Sequence, residues 1–281
     1  MNSIAFYQVD AFASQIFKGN PAVVCPLDKW LPDETLQLMT IEHNQSETAF
    51  FVPTANGYKL RWFTSLGEID LCGHATLASA HVLFNHLNYP HNKIQFETQF
   101  VGNLTVTKDS WGLTLDFPSW PPEQLLLDKP IQSDIAIRRR ANRMTDTDII
   151  VAGLGGMTPE AFYKKRDYMF VFSGQEDIER INPDFKTLGQ LKGGICITAP
   201  GNNCDFVSRF FCPGDAVEED PVTGSAHSML VPYWAERLGK NKLLARQVSK
   251  RGGELRSELQ GDRVMISGQA QTYMSGTIFL P

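Results

Sequence analysis

The sequence predicts an α+β fold in two similar halves, each a curved sheet wrapped around one central helix. Three features carry that expectation. The chain repeats itself at an offset of about 150 residues. A helix-like run after Gly73 has almost no polar face, which marks a buried helix. The segments around it are rich in Val, Ile, Phe and Thr and stop at Gly, Pro and Asn turns, as strands do.

In the first half, Leu31-Pro32-Asp33 opens a helix-like stretch, and strand-like Thr48-Ala49-Phe50-Phe51-Val52-Pro53 follows. A turn at Asn56-Gly57 leads to strand-like Leu60-Arg61-Trp62-Phe63 and then Glu68-Ile69-Asp70-Leu71-Cys72-Gly73-His74-Ala75. The second half repeats this order. Asn182-Pro183-Asp184 opens a stretch, then come Gly194-Ile195-Cys196-Ile197-Thr198-Ala199-Pro200 and a turn at Gly201-Asn202-Asn203. Phe206-Val207-Ser208-Arg209-Phe210-Phe211 and Glu218-Glu219-Asp220-Pro221-Val222-Thr223-Gly224-Ser225-Ala226 complete the match. Each half then continues with an apolar helix-like run and a strand-rich stretch holding Gly102-Asn103-Leu104 or Gly253-Glu254-Leu255. The first helix carries Ala75, Leu77, Ala78, Ala80, Val82, Leu83 and Phe84; the second, from Gly224 to Gly239, contains Pro232 and should kink there. Pro118, Pro121 and Pro122 mark a crossing segment, and Thr277-Ile278-Phe279-Leu280 lies beyond the repeat. The expected domains are 1–118, completed by 270–281, and 119–269.

Composition narrows the class. The 281 residues suit two domains, and 42% hydrophobic with 20% charged residues is ordinary for a globular chain. A net charge of -5 argues against nucleic acid or an anionic membrane as the main partner. Five cysteines at irregular spacings form no disulfide framework. No signal peptide or membrane span is visible, so the expected location is the cytoplasm. Gly153-Leu154-Gly155-Gly156 lacks the full dinucleotide spacing, and neither Cys-x-x-Cys nor metal-ligand spacing of the six histidines occurs. No cofactor and no metal are expected. Arg138-Arg139-Arg140 with Arg143 reads as a solvated helix face, and Cys25, Cys196, Cys204 and Cys212 as small buried hydrophobes.

Four motif blocks stand in order along the chain. They are Val9-Asp10-Ala11-Phe12 with Phe17-Lys18-Gly19-Asn20-Pro21-Ala22-Val23-Val24; Asn44-Gln45-Ser46-Glu47-Thr48-Ala49-Phe50; Asp70-Leu71-Cys72-Gly73-His74-Ala75-Thr76; and Glu219-Asp220-Pro221-Val222-Thr223-Gly224-Ser225-Ala226. Together they resemble the PhzF-like family of phenazine biosynthesis. The resemblance implies a diaminopimelate-epimerase-like fold: two pseudo-symmetric domains, mostly antiparallel sheets around central helices, and an active site in the cleft. It also implies cofactor-independent proton-transfer isomerisation of a small carboxylic acid, and a homodimer. On the family pattern Glu47 is the general acid/base, and Gly73, His74, Asp220 and Ser225 line the pocket, with Ser46, Cys72 and Gly224 beside them. Cys72 before Gly73-His74 departs from the phenazine enzymes themselves.

The residue types suit that chemistry. Moving a carbon-bound proton needs a base poised nearer neutrality than a solvated carboxylate, and burial beside the apolar strand after Glu47 is expected to raise its pKa. Glycine-led helix starts at Gly73 and Gly224 offer unpaired N–H groups that could hold a carboxylate without any arginine. His74 can donate to a substrate oxygen or share a proton with Glu47, while Asp220 orients His74 or substrate, or Asp220 or Thr223 caps the helix. Two other readings stay open: an epimerase or racemase, and a non-catalytic small-molecule binder.

Overall fold

The computed structural model describes residues 2–125, 145–215 and 217–280; Arg138, Arg139, Arg140 and Arg143 lie outside them. The fold is α+β with a mixed sheet system. In chain order the first repeat runs β1 (Asn2–Ala11), β2 (Asn20–Pro26), α1 (Asp33–His43), β3 (Glu47–Thr54), β4 (Gly57–Thr64) and β5 (Gly67–Ile69). It continues through α2 (Gly73–Asn85), β6 (Lys93–Thr98), β7 (Asn103–Lys108) and β8 (Leu113–Pro118). A short β9 (Glu123–Gln124) and α3 (Asp146–Gly153) precede the second repeat. That repeat comprises β10 (Ala161–Lys164), β11 (Tyr168–Val171), α4 (Gln175–Arg180), α5 (Phe185–Leu188), β12 (Ile195–Pro200), β13 (Phe206–Phe211) and β14 (Glu219–Asp220). A 3-10 turn (Gly224–Ala226) leads into α6 (His227–Leu238), β15 (Lys242–Gln247), β16 (Gly253–Gln260), β17 (Arg263–Gly268) and β18 (Ala270–Leu280).

Strand pairing reproduces the sequence repeat. In the first, β2 and β3 are parallel, β3–β4 and β4–β5 antiparallel, β4 and β6 parallel, and β6–β7 and β7–β8 antiparallel. In the second, β11–β12, β12–β13, β13–β14, β13–β15, β15–β16 and β16–β17 follow the same alternation of sense. A bidentate ion pair recurs as well. Arg61 grips Glu68 across β4–β5, and Arg209 grips Glu219 across β13–β14. Each guanidinium lies over the phenylalanine two residues on, Phe63 or Phe211, at 5.0 Å. The halves are joined by β8–β17, and β18 pairs along β1.

The central strands are buried on both faces, which is why they read as unbroken apolar runs. On β3 and β4, Ala49, Phe51, Leu60 and Trp62 face the cluster around α2, while Phe50, Val52 and Phe63 face the one under α1. On β12 and β13, Cys196, Phe206 and Phe210 face inward, and Ile195, Ile197, Val207 and Phe211 pack toward α3–α5. The α2 helix is buried from Gly73 to Ala80 and again from Val82 to Phe84, as its lack of a polar face requires. Full burial of a Leu or Val side chain contributes about 1.5–3 kcal/mol, so Leu77, Val82 and Leu83 anchor the first repeat.

Three local readings are corrected. The strand-like run at 68–75 stops at Ile69, and the helix begins at Gly73, because the chain must turn inward to bury α2. The second helix opens as a 3-10 turn and becomes α-helical at His227. Pro232 has no N–H for the carbonyl of Ser228, and the backbone N–H of Trp120 takes that carbonyl at 2.8 Å, tying the crossing segment to α6. Finally, Cys25 and Cys196 are buried, but Cys204 and Cys212 are only half-buried, since they sit on connecting turns rather than inside the sheet.

Candidate functional site

Both central helices begin at the same place. A Cβ on Gly73 would lie 3.3 Å from the Cα of Gly224 and 3.4 Å from the Ser225 nitrogen, so glycine allows the two helix starts to meet. No side chain caps either start; Thr223 precedes the second without a capping bond, and its hydroxyl donates instead to Asp220 Oδ2 at 2.5 Å. The first-turn N–H groups of the two repeats therefore converge. Beside them, Glu47 at the head of β3 places Oε2 3.0 Å from His74 Nε2. The contact is an ion pair in which the His74 ring faces the Glu47 carboxylate. Cys72 Sγ lies 3.5 Å from His74 Nδ1.

Asn20, the first residue of β2, links the halves. Its Nδ2 is 3.0 Å from His74 Nδ1 and donates to Asp220 Oδ1 at 2.6 Å and to the Val222 carbonyl at 3.0 Å. Gln247 holds the same turn: its Nε2 donates to the Asp220 carbonyl at 2.6 Å, and its Oε1 accepts from the Thr223 N–H at 2.8 Å. A cavity of about 280 Å³ opens onto this group, walled by Ser46, Glu47, Glu68, Cys212, Asp215 and Asp220 among others. At the second helix start Arg166 donates to Ser225 Oγ at 3.0 Å, pairs with Asp167, and stacks on Trp120. Tertiary folding brings Arg166 to the second helix start from the β10–β11 turn, beside Ser225 rather than among the residues that wall the cavity.

The phenazine biosynthesis-like (PhzC-PhzF) family model matches residues 9–276. The chain belongs to the PhzF family. A relative in Pseudomonas aeruginosa, named an uncharacterized isomerase, is 44% identical over 281 residues, covering 99% of each chain. Isomerase is also the name of relatives at 43% and 42% identity, and it is the enzyme class of this PhzF-family chain. A crystal structure of a PhzF family protein from Enterococcus faecalis superposes with a TM-score of 0.88 at 44% identity, covering 99% of this chain and 100% of that one. A hydroxyproline epimerase from Agrobacterium vitis, at 11% identity and a TM-score of 0.59, shares the fold, with 98% of this chain and 92% of that one covered.

The electrostatics of the PhzF-family site correct one more expectation. Burial does push the Glu47 carboxyl up, but the charge of His74 and hydrogen bonds from His74 and Ser46 outweigh it, and the net direction is down. Burial likewise pushes His74 down, while Cys72 and Glu47 turn the balance well above its ordinary value. Glu47 is held as an anion against a proton on His74. Burial pushes the Cys72 thiol up, so it stays protonated at neutral pH, and burial pushes Asp220 up to about 6. Glu47, Cys72 and His74 each bring a ligand atom within 4.8 Å of the others, a donor set that sequence spacing alone does not reveal.

All eight residues singled out from the sequence, Ser46, Glu47, Cys72, Gly73, His74, Asp220, Gly224 and Ser225, fall in this one neighbourhood. Asn20, Arg166, Gln247 and Asp215 were not assigned. Asn20 stands inside a quoted motif, whereas Arg166 and Gln247 reach Ser225 and Thr223 across 59 and 24 residues.

Proposed function

We propose that this chain is a cofactor-independent isomerase that moves a proton between carbons of a small carboxylate-bearing metabolite. The observation that carries it is the Glu47–His74 pair, 3.0 Å apart, next to two abutting uncapped helix starts. His74 keeps Glu47 ionised at neutral pH, so Glu47 can take a carbon-bound proton. The electron pair left behind spreads through the substrate toward its carboxylate, and Glu47 returns the proton at another carbon. The N–H groups around Gly73 and Ser225 stabilise the charge as it develops and hold the carboxylate. Asp220 orients His74 through Asn20. Supporting this reading over a pure binder, Glu47, His74 and Asp220 are joined by direct or single-residue contacts. Against an epimerase using paired thiols, the residue before Gly224 that matches Cys72 before Gly73 is Thr223, which is no thiol.

The same reading takes 1–118 with 270–281 as one domain and 119–269 as the other, supported by the pairing of β18 with β1. It also takes a homodimer in the cytoplasm; among the described residues no helix is long and apolar enough to cross a membrane. The test is incubation with a panel of small amino, hydroxy and dienyl acids in deuterated water, followed by NMR. With the responding acid, Glu47→Gln should lose about 10²–10⁴-fold in turnover while ligand binding survives. Near-normal turnover in that variant sinks the assignment.

A further inference from the structure

The chain between β1 and β2 delivers Asn20 to the site, and its shape is imposed from the other half of the molecule. Phe12 and Phe17 adopt φ of 59° and 70°, left-handed conformations that bulky residues keep only where their surroundings dictate them. Gly19 follows at φ 67°, and a Cβ there would lie 2.1 Å from the Ala11 carbonyl oxygen, so only glycine closes the loop. The hold comes from the β15–β16 turn. Arg251 Nη2 donates to Asp10 Oδ1 at 2.8 Å and to the Lys18 carbonyl at 3.0 Å, and its Nε donates to the Gly19 carbonyl at 2.8 Å. The Gly19 N–H donates in turn to the Gly252 carbonyl at 2.7 Å. Asp10 is 2% exposed and accepts the Phe17 N–H on Oδ2 at 2.7 Å; burial pushes its carboxyl up, and Phe17 and Arg251 pull against that. One guanidinium thus fixes both ends of the loop, across 241 residues at Asp10 and 232 at Gly19, the neighbour of Asn20. The same turn also grips the Asp220 segment: Ser249 Oγ donates to the Pro221 carbonyl at 2.7 Å, and Gln247 Nε2 to that of Asp220 at 2.6 Å.

We propose that Arg251 is a positioning residue of the site: from the second half it locks the β1–β2 loop so that the Asn20 amide stays bonded to Asp220 beside His74. This rests on the reading of Asp220 and His74 as parts of the isomerase site. Lysine cannot replace it, because a single ammonium lacks the planar fork that serves a carboxylate and two carbonyls at once. Without the fork the loop relaxes from its left-handed turns and Asn20 leaves Asp220. The Asp220 carboxylate then loses a hydrogen bond that favours its charged form, and its pKa rises.

The test follows the Asp220 carboxyl carbon by NMR against pH, in the full chain with no substrate added. Arg251→Lys should raise the midpoint by about 0.5–1 pH unit, the loss of one modest hydrogen bond to the anion. Asn20→Ala should raise it by the same amount, and the Asn20→Ala/Arg251→Lys double variant no further, because both act through one contact. Removing Arg251 outright would leave Asp10 buried and unpaired, so Asp10→Asn/Arg251→Gln, which deletes both charges together, is the second version of the key variant. Thermal melts establish that each variant is folded. Arg246→Lys, which perturbs only the exposed pair with Glu254, should leave the midpoint in place. An unmoved midpoint in both folded Arg251 variants, additive shifts in the Asn20→Ala/Arg251→Lys double variant, or an equal shift in Arg246→Lys overturns the proposal. These outcomes are separable from the isomerase reading. An inactive Glu47→Gln with Asp220 unmoved by Arg251→Lys removes only the role of Arg251, while a shifted Asp220 with an active Glu47→Gln removes only the base.

Discussion

Replacing Glu47 by Gln should cost stability in a pH-dependent way, because it keeps the shape of the side chain and deletes one charge of a buried pair. Glu47 Oε2 and His74 Nε2 are 3.0 Å apart, with side chains 18% and 4% exposed. Unit charges at that separation attract by about 5.5 kcal/mol at an effective dielectric of about 20. Desolvating both partners returns part of this, so about 3 kcal/mol is expected to be lost when one is removed. His74 is raised, so its contribution is complete below about 6.5 and fades as pH climbs through its folded value. Glu47 is lowered, so its contribution is complete above about 4.5 and fades as pH falls through its folded value. Both are at full strength between about pH 4.5 and 6.5. At pH 5.5 the variant should melt about 6–9 °C below wild type, at roughly 2–3 °C per kcal/mol for a chain of this size. At pH 10 the gap should narrow. Calorimetry at the two pH values decides it. Equal deficits at both, or a deficit under about 2 °C at pH 5.5, refute the ion pair.

Three further outcomes can be checked. Cys72→Ala should retain turnover within about tenfold of wild type, because the buried thiol keeps its proton at neutral pH; a loss as deep as that of Glu47→Gln, with complete deuterium at one inverted centre, favours an epimerase. Asp220, raised by burial to about 6, should show its carboxyl carbon titrating near that pH by NMR, and the stability it lends at low pH should fade as pH rises through it. A midpoint below about 4.5 contradicts its buried environment. Dialysis against a chelator should leave turnover unchanged, and loss of activity restored by added metal would overturn cofactor-independent catalysis.

Much of the site was legible because the chain states it twice. The repeat placed Gly73 and Gly224 at matching positions, and the apolar run after Gly73 required a buried helix with its start turned inward. Local sequence was enough for Glu47, which heads a strand whose next residues are buried. It misjudged that residue's charge state, because burial is a property of one strand whereas the opposing His74 comes from another element. The duplicated Arg-x-Phe of β4 and β13 was on view as well, but its Glu68 and Glu219 partners became visible only with the hairpins folded.

By itself the sequence determined the period of the repeat, which helix is buried, and which short segments carry polar groups among apolar neighbours. These follow from chain-local physics: side-chain periodicity, glycine and proline conformational limits, and the need to bury apolar surface. Only the tertiary structure decided that Asn20 bridges His74 and Asp220 across 200 residues, that Arg166 reaches Ser225, and that Glu47 is held as an anion. Charge state and hydrogen-bond partnership depend on distances of about 3 Å between groups far apart in the chain, and spacing along a sequence does not encode those distances.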